Sequence, residues 1–129
     1  MNSHPNFATL KADMDLLARC KQVLELMLTS RGNPSGEVDR VLADNPQFIF
    51  GHCLRAALIV RADDGASRST LIASVTAIEA ECPDSDHPAR RHAAAAGAWL
   101  DGDQALATER YGAILIDWPR DILALSARK

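Results

Sequence analysis

Apolar residues recur at helical spacing along almost the whole chain. Leu10, Met14, Leu17, Leu24 and Leu28 fall three, four or seven positions apart, which predicts one amphipathic helix over about 7–29. The stretch "SRGNPSGE" ends it. Gly32 and Asn33 tolerate a left-handed helix exit, Pro34 cannot continue the hydrogen-bond ladder, and Ser35 can cap the next helix. A short helix over about 36–43 closes on Asn45-Pro46. "QFIFGHCLRAALIVRA" is apolar on all sides, so it predicts a helix covered on most of its surface, broken by "DDGAS". A helix over about 68–80 carries Leu71, Ile72, Val75 and Ile78. In "ECPDSDHP", Asp86 is the expected cap of a helix with Pro88 in its first turn, running to Leu100. After "DGD" comes a helix over about 104–118, and a seventh begins near Arg120. No segment alternates with period two for long enough to form a strand. The expectation is an all-α chain of seven helices.

Three of the helix ends repeat. "RVLADNP", "TAIEAECP" and "GAILIDWP" each place an aliphatic residue five positions before a proline: Val41 and Pro46, Ile78 and Pro83, Ile114 and Pro119. The prolines are 37 and 36 residues apart. A period in the thirties with two helices per unit is the signature of a helical solenoid, since a lone helix pair cannot bury its apolar face and must stack. In "ATERYGAILIDWPRD", Ala107 permits a close helix crossing, Tyr111 and Ile114 fill the groove, and Pro119 turns the chain. Residues 1–129 are therefore expected to form a single domain of antiparallel helix pairs, about three repeats long.

"DGDQALATERYGAILIDWP" resembles the second half of a tetratricopeptide repeat: Gly102-Asp103 at the turn, then Ala107, Tyr111, Ile114 and Pro119. The other two units depart from that pattern. Val38 and Val75 stand where an aromatic is usual, Leu71 where a small residue is usual, and the Trp and Gly-Tyr signature of each first helix is missing. Over most of the chain, "ADNPQFIFGHCLRAALIVRADD", "ARRHAAAAGAWLDGD" and "AILIDWPRDILAL" are similar to the opening portion of the tetratricopeptide repeat protein 38-like family. Members of that family are longer, and their pattern would continue beyond Leu125. The resemblance implies a helical repeat fold and supplies no catalytic residues.

Composition narrows the classes of function. Apolar residues make up 47% and aromatics 5%, so the core is built from Ala, Leu, Ile and Val, which suits close-packed helices. A formal charge of −3 with no basic stripe argues against nucleic acid as a partner. Cys20, Cys53 and Cys82 are an odd number at wide spacing, as expected of reduced cytoplasmic thiols used as core filler. The N-terminus shows no export signal, and "LLARCKQVLELML" is too interrupted by charge to cross a membrane.

No phosphate loop, paired-His zinc motif, Cys-x-x-Cys or Gly-x-Ser-x-Gly elbow occurs, so neither a cofactor nor a metal is expected. "CPDSDHPARRH" gathers acids and imidazoles, but His87 and His92 are five apart and diverge by about 140° on a helix, poor geometry for shared ligation. A capped polar turn is the favoured reading of that stretch. His52 and Arg55 share one helix face, as do His92 and Trp99. On the inner curve of a solenoid, Trp99 with His92 and an arginine offers a stacking plate and donors for a carboxylate or peptide terminus. Packing is favoured for Trp99, and a satisfied interior imidazole for His52. Arg55 is the strongest single binding candidate, because a charge in "GHCLRAALIV" must reach solvent or a partner.

Two functions are consistent with these features. The first is a noncatalytic interaction module that receives a protein or peptide on its concave face and self-associates through Ile122, Leu125 and Leu123 of the last helix. The alternative is a small-molecule-binding protein or enzyme with a pocket between helices near Arg55, His92 and Trp99, where Asp101 or Tyr111 would supply acid-base chemistry.

Overall fold

Helices that begin at residues 34, 88, 104 and 122 start where a side chain accepts an unpaired N–H of the first turn, whereas those that begin at Ile49 and Arg68 have no side-chain cap. The computed structural model describes Ala18, residues 21–23, Glu25 and residues 32–128, and among these the regular elements are all helical. Ala18, 21–23 and Glu25 are helical, and Val23 is buried. The remainder of the 7–29 helix, with Leu10, Met14, Leu17, Leu24 and Leu28, lies outside the described residues, as does Cys20. The chain divides into two compact units, Met1–Pro46 and Gln47–Lys129.

In the first unit, α1 spans Pro34–Asp44 and buries Val38, Val41 and Leu42. Its cap is Asn33, whose Oδ1 accepts the Gly36 N–H at 3.1 Å, and not Ser35 as expected. Pro34 opens the helix because the N–H it lacks is one that a first turn leaves unpaired anyway.

The second unit holds α2 (Ile49–Ala62), a single 3₁₀ turn (Gly65–Ser67), α3 (Arg68–Glu81), α4 (Pro88–Leu100), α5 (Gln104–Asp117) and α6 (Ile122–Arg128). The expected Asp86 cap of α4 is also displaced by one residue. His87 Nδ1 accepts the Ala89 N–H at 3.0 Å, while the Asp86 N–H closes a turn on Asp84. With proline at N1, the first free N–H of the helix is that of Ala89, within reach of His87.

The three proline joints have one geometry. Asn45, Cys82 and Trp118 sit at φ/ψ of −137/70, −125/83 and −130/78. A residue before proline is pushed out of the α region by the pyrrolidine ring, so each helix stops there. The N–H of each joint residue still reaches back to the aliphatic residue four earlier: Val41 O at 2.9 Å, Ile78 O at 2.9 Å and Ile114 O at 2.8 Å. All three aliphatic side chains are buried, which ties the end of each helix to the core.

A second device recurs at the opposite helix ends. Gly32, Asp63 and Gly102 have φ of 66°, 53° and 82°, and the next residue in each case, Asn33, Asp64 or Asp103, caps the following helix or turn. After α2 and α4 the bonding is the same: the N–H of Asp64 and Asp103 reaches Ile59 O and Ala98 O, and that of Asp63 and Gly102 reaches Val60 O and Trp99 O. This is the Schellman arrangement, which needs a left-handed residue and so favours glycine. Asp63 departs from that preference, and its carboxylate bonds to residues of other segments.

Packing in the second unit centres on α2 and α4. The apolar α2 is covered by α3, α4 and α6, as its composition demands. The Ala-rich α4 buries Ala89, Ala93, Ala95, Ala96 and Ala98, so α2, α3 and α5 can approach its axis, and its contact with α5 is the most extensive in the unit. Ala107, Tyr111 and Ile114 are the buried residues of α5, as the spacing predicts. Stacking along one axis would lay α6 on α4, but its principal neighbours are α5 and α2. Therefore α2, α4, α5 and α6 make a closed circuit with α3 across α2 and α4. The buried face of α6 runs through Leu123, Ala124 and Ala127, and Leu125 points away from it at 59% exposure, so the expected stripe is rotated. The Ile122 side chain lies outside those described.

Burial makes a sharp distinction within α3, where Ile78 is fully buried and Ile72 is 47% exposed. Ile78→Ala is expected to cost about 2–5 kcal/mol in urea unfolding, and Ile72→Ala less than about 1 kcal/mol. Equal losses would mean that the joint residue is not anchored as described.

Candidate functional site

The four site residues expected from the sequence fall in three places. His52 and Arg55, one turn apart on α2, converge on the fully buried Ser74 of α3. Arg55 Nε donates to Ser74 Oγ at 2.8 Å, and His52 Nδ1 lies 3.0 Å from the same oxygen. Ser74 Oγ, with two lone pairs and one hydrogen, accepts from Arg55 Nε and also bonds His52 Nδ1, in a direction that follows the imidazole tautomer. His52 is 5% exposed, and Arg55 is intermediate. This group joins α2 to α3, so the charge in the middle of an apolar helix has a polar partner.

Trp99 stands elsewhere, near the C-terminal ends of α2 and α4. Its Nε1–H donates to Asp63 Oδ1 at 2.8 Å, and Gln104 Nε2 donates to the same oxygen at 3.0 Å. The left-handed backbone at position 63 is thus held by a residue whose carboxylate binds two other segments, which glycine could not do. Beside this group lies an open pocket of about 170 Å³, with Arg61, Asp63, Trp99, Gln104, Thr108 and Ala127 on its walls.

His92 makes a third site, in the first half of α4. Its Nε2 lies 2.7 Å from Asp121 Oδ2, and its ring meets Tyr111 edge-on with centroids 5.7 Å apart. Asp121 Oδ1 accepts the Ala124 N–H at 3.1 Å and so caps α6. Burial works to raise the Asp121 pKa, but the hydrogen bond and charge of His92, with backbone N–H groups of Ala124 and Leu123, outweigh it and hold the carboxyl below its ordinary value. An ionised carboxylate only accepts, so Nε2 carries the hydrogen. Burial, then the charges of Asp121 and Cys82, push the nearby Cys53 thiol up to about 12. Burial likewise raises the Tyr111 phenol, with Cys53 and Asp121 adding to it. The Tyr111 hydroxyl and His92 Nδ1 find no hydrogen-bond partner among the described residues.

An imidazole, a carboxylate, a phenol and a thiol in one place have the residue types of acid-base machinery. Their burial sets the chemistry instead: His92 is 3% exposed and Tyr111 is wholly enclosed, so the phenol and thiol stay neutral. The cluster fastens the start of α6 to α4. Outside it, the Arg91 guanidinium pairs with Asp117 at 2.5 Å and lies 5.1 Å over the Trp118 ring, tying α4 to the end of α5.

Arg55 and His92 therefore have no place on the walls of the pocket that Trp99 lines. Asp101 is exposed, Tyr111 is sealed against His92, and His87 caps a helix apart from His92. Among the described residues no group of three His, Cys, Asp or Glu side chains is placed to hold a metal, and no helix is long and apolar enough to cross a membrane. Sequence reasoning passed over Asp63, Ser74 and Asp121. Asp121 had a local signal, since an acid two residues after a proline joint is well placed to cap. Ser74 and Asp63 had none, because their partners lie 19–41 residues away. Comparison with protein-family models, curated proteins and solved structures found no match.

The unpartnered hydroxyl makes Tyr111→Phe neutral or stabilising, within about 1 kcal/mol, since it removes a buried polar group with no bond to lose. A loss well beyond that in chemical denaturation would reveal a partner for the phenol. The lowered Asp121 pKa has a defined sign. Its stabilising contribution is complete above the unfolded-state value, near the ordinary 3.8, and disappears as pH falls through the folded-state value. Asp121→Asn keeps a cap acceptor but has no such titration. Its stability deficit relative to the parent should therefore shrink between about pH 5 and pH 2. A deficit that stays constant over that range would show that the carboxylate charge contributes nothing.

Proposed function

We propose that this chain is a noncatalytic interaction module, built from helix pairs of tetratricopeptide type, that binds a protein or peptide partner and associates with further copies of itself. The recurring proline joints and left-handed turns support the repeat reading, because equivalent sequence positions carry equivalent local geometry. The observation that carries the interaction reading is the exposure of large aliphatic side chains on neighbouring helices. Ile116 of α5 is 80% exposed and Leu125 of α6 is 59% exposed, and these helices pack on one another. A lone exposed aliphatic is ordinary, whereas two on a packed helix pair are the beginning of an association surface. In this reading the inner residues His52, Arg55 and His92 brace the module, and the outer faces of α5 and α6 meet the partner.

A specific observation also favours a second reading, a small-ligand receptor: the pocket beside Trp99. Arg55 and His92 have no part in it, which narrows that reading to the ends of α2 and α4.

Sedimentation velocity over a wide concentration range tests the first reading. The parent chain is expected to shift to larger species as concentration rises, and Ile116→Asp with Leu125→Asp to suppress the shift without loss of helicity. A parent that stays monomeric throughout, with the double variant no different, would remove the basis for self-association.

A further inference from the structure

We infer that the pocket between the ends of α2, α4 and α5 is a binding site for a primary ammonium group, with the Asp63 carboxylate as its anchor. This inference rests on the ligand-receptor reading and is independent of self-association. The first support is the backbone. Asp63 takes the left-handed position that Gly102 occupies in the corresponding turn, at φ 53° against 82°. Glycine would relieve the backbone there, so the side chain is present for what the carboxylate does.

The second support is electrostatic. Asp63 Oδ1 accepts from the indole of Trp99 and the amide of Gln104, both of them neutral donors, and no cation pairs with Asp63 among the described residues. The residue is exposed, and it lines the pocket. Two hydrogen bonds hold the carboxylate in place before any ligand arrives, which lowers the ordering cost of binding. Neither donor brings a charge to the carboxylate, and a cation is the group that such an acceptor selects. Thr108 adds a hydroxyl acceptor on the same wall, and the Trp99 ring adds an aromatic surface of the kind that cations favour.

A pocket of about 170 Å³ admits a group the size of a small amino acid and excludes a nucleotide or a folded chain. The ammonium has two sources, a free α-amino acid or the lysine side chain of a partner protein.

The test follows the Trp99 indole N–H by ¹H–¹⁵N NMR in the full chain, with the resonance assigned through Trp118→Phe. L-leucine probes the free amino acid, and Nα-acetyl-L-lysine methylamide presents only a side-chain ammonium. A saturable shift of the Trp99 signal with either probe is expected, and the probe that binds identifies the source. Asp63→Asn keeps the amide oxygen for Trp99 and Gln104 and suits the left-handed backbone, so the fold and the indole signal should persist while affinity falls about tenfold or more. No saturable shift with either probe, or equal affinity in Asp63→Asn, would overturn the inference. Leu125→Asp in the same titration should bind as the parent does, which separates failure of this site from failure of the association surface.

Discussion

Three residues that precede proline shape this chain more than any others. The pyrrolidine ring excludes the α conformation at Asn45, Cys82 and Trp118, so a helix must end at each, at nearly the same angles. Position alone would make them only breaks. They become joints because the aliphatic residue four earlier is buried and its carbonyl receives the last N–H. Chain direction and core packing are thereby set by the same few atoms.

Between those joints the helices meet along small side chains. The row of alanines on α4 lets three neighbours come close, and the larger residues Leu54, Leu71, Ile78, Tyr111 and Ile114 fill the space at full burial. Burying each such side chain contributes about 1.5–3 kcal/mol, so this seam outweighs any surface ion pair in the molecule, of which Arg40 with Glu37 is an instance. With apolar residues on most of the surface of α2, the last helix has a reason to settle on it and complete a circuit of neighbours.

Apart from the Tyr111 hydroxyl and His92 Nδ1, the polar groups described inside this packing are linked in pairs or threes. Ser74 reconciles His52 with Arg55, Asp121 holds His92, and Asp63 holds Trp99 and Gln104. Each group joins elements distant in sequence, because an unpaired polar atom in such a core costs about 1–3 kcal/mol. They differ in access. The His92 group is sealed and serves position, whereas the Asp63 group opens on a pocket and keeps an exposed charge.

Helix content, most helix ends and the buried face of α5 were determined by the sequence itself, since they depend on spacing of 3.6 residues, on proline and on capping within a few positions, whereas in α3 Ile72 stays exposed and Ser74 is buried. Even there, Asn33 and His87 took caps expected of Ser35 and Asp86, because Pro34 and Pro88 hold the first helical position and place the cap on the residue just before each. Tertiary structure alone decided which polar residues meet, that α6 lies on α2, and which face of α6 is buried. Those outcomes turn on contacts between residues far apart in the chain, such as Arg55 with Ser74 across 19 residues and Asp63 with Gln104 across 41, and no local periodicity carries that information.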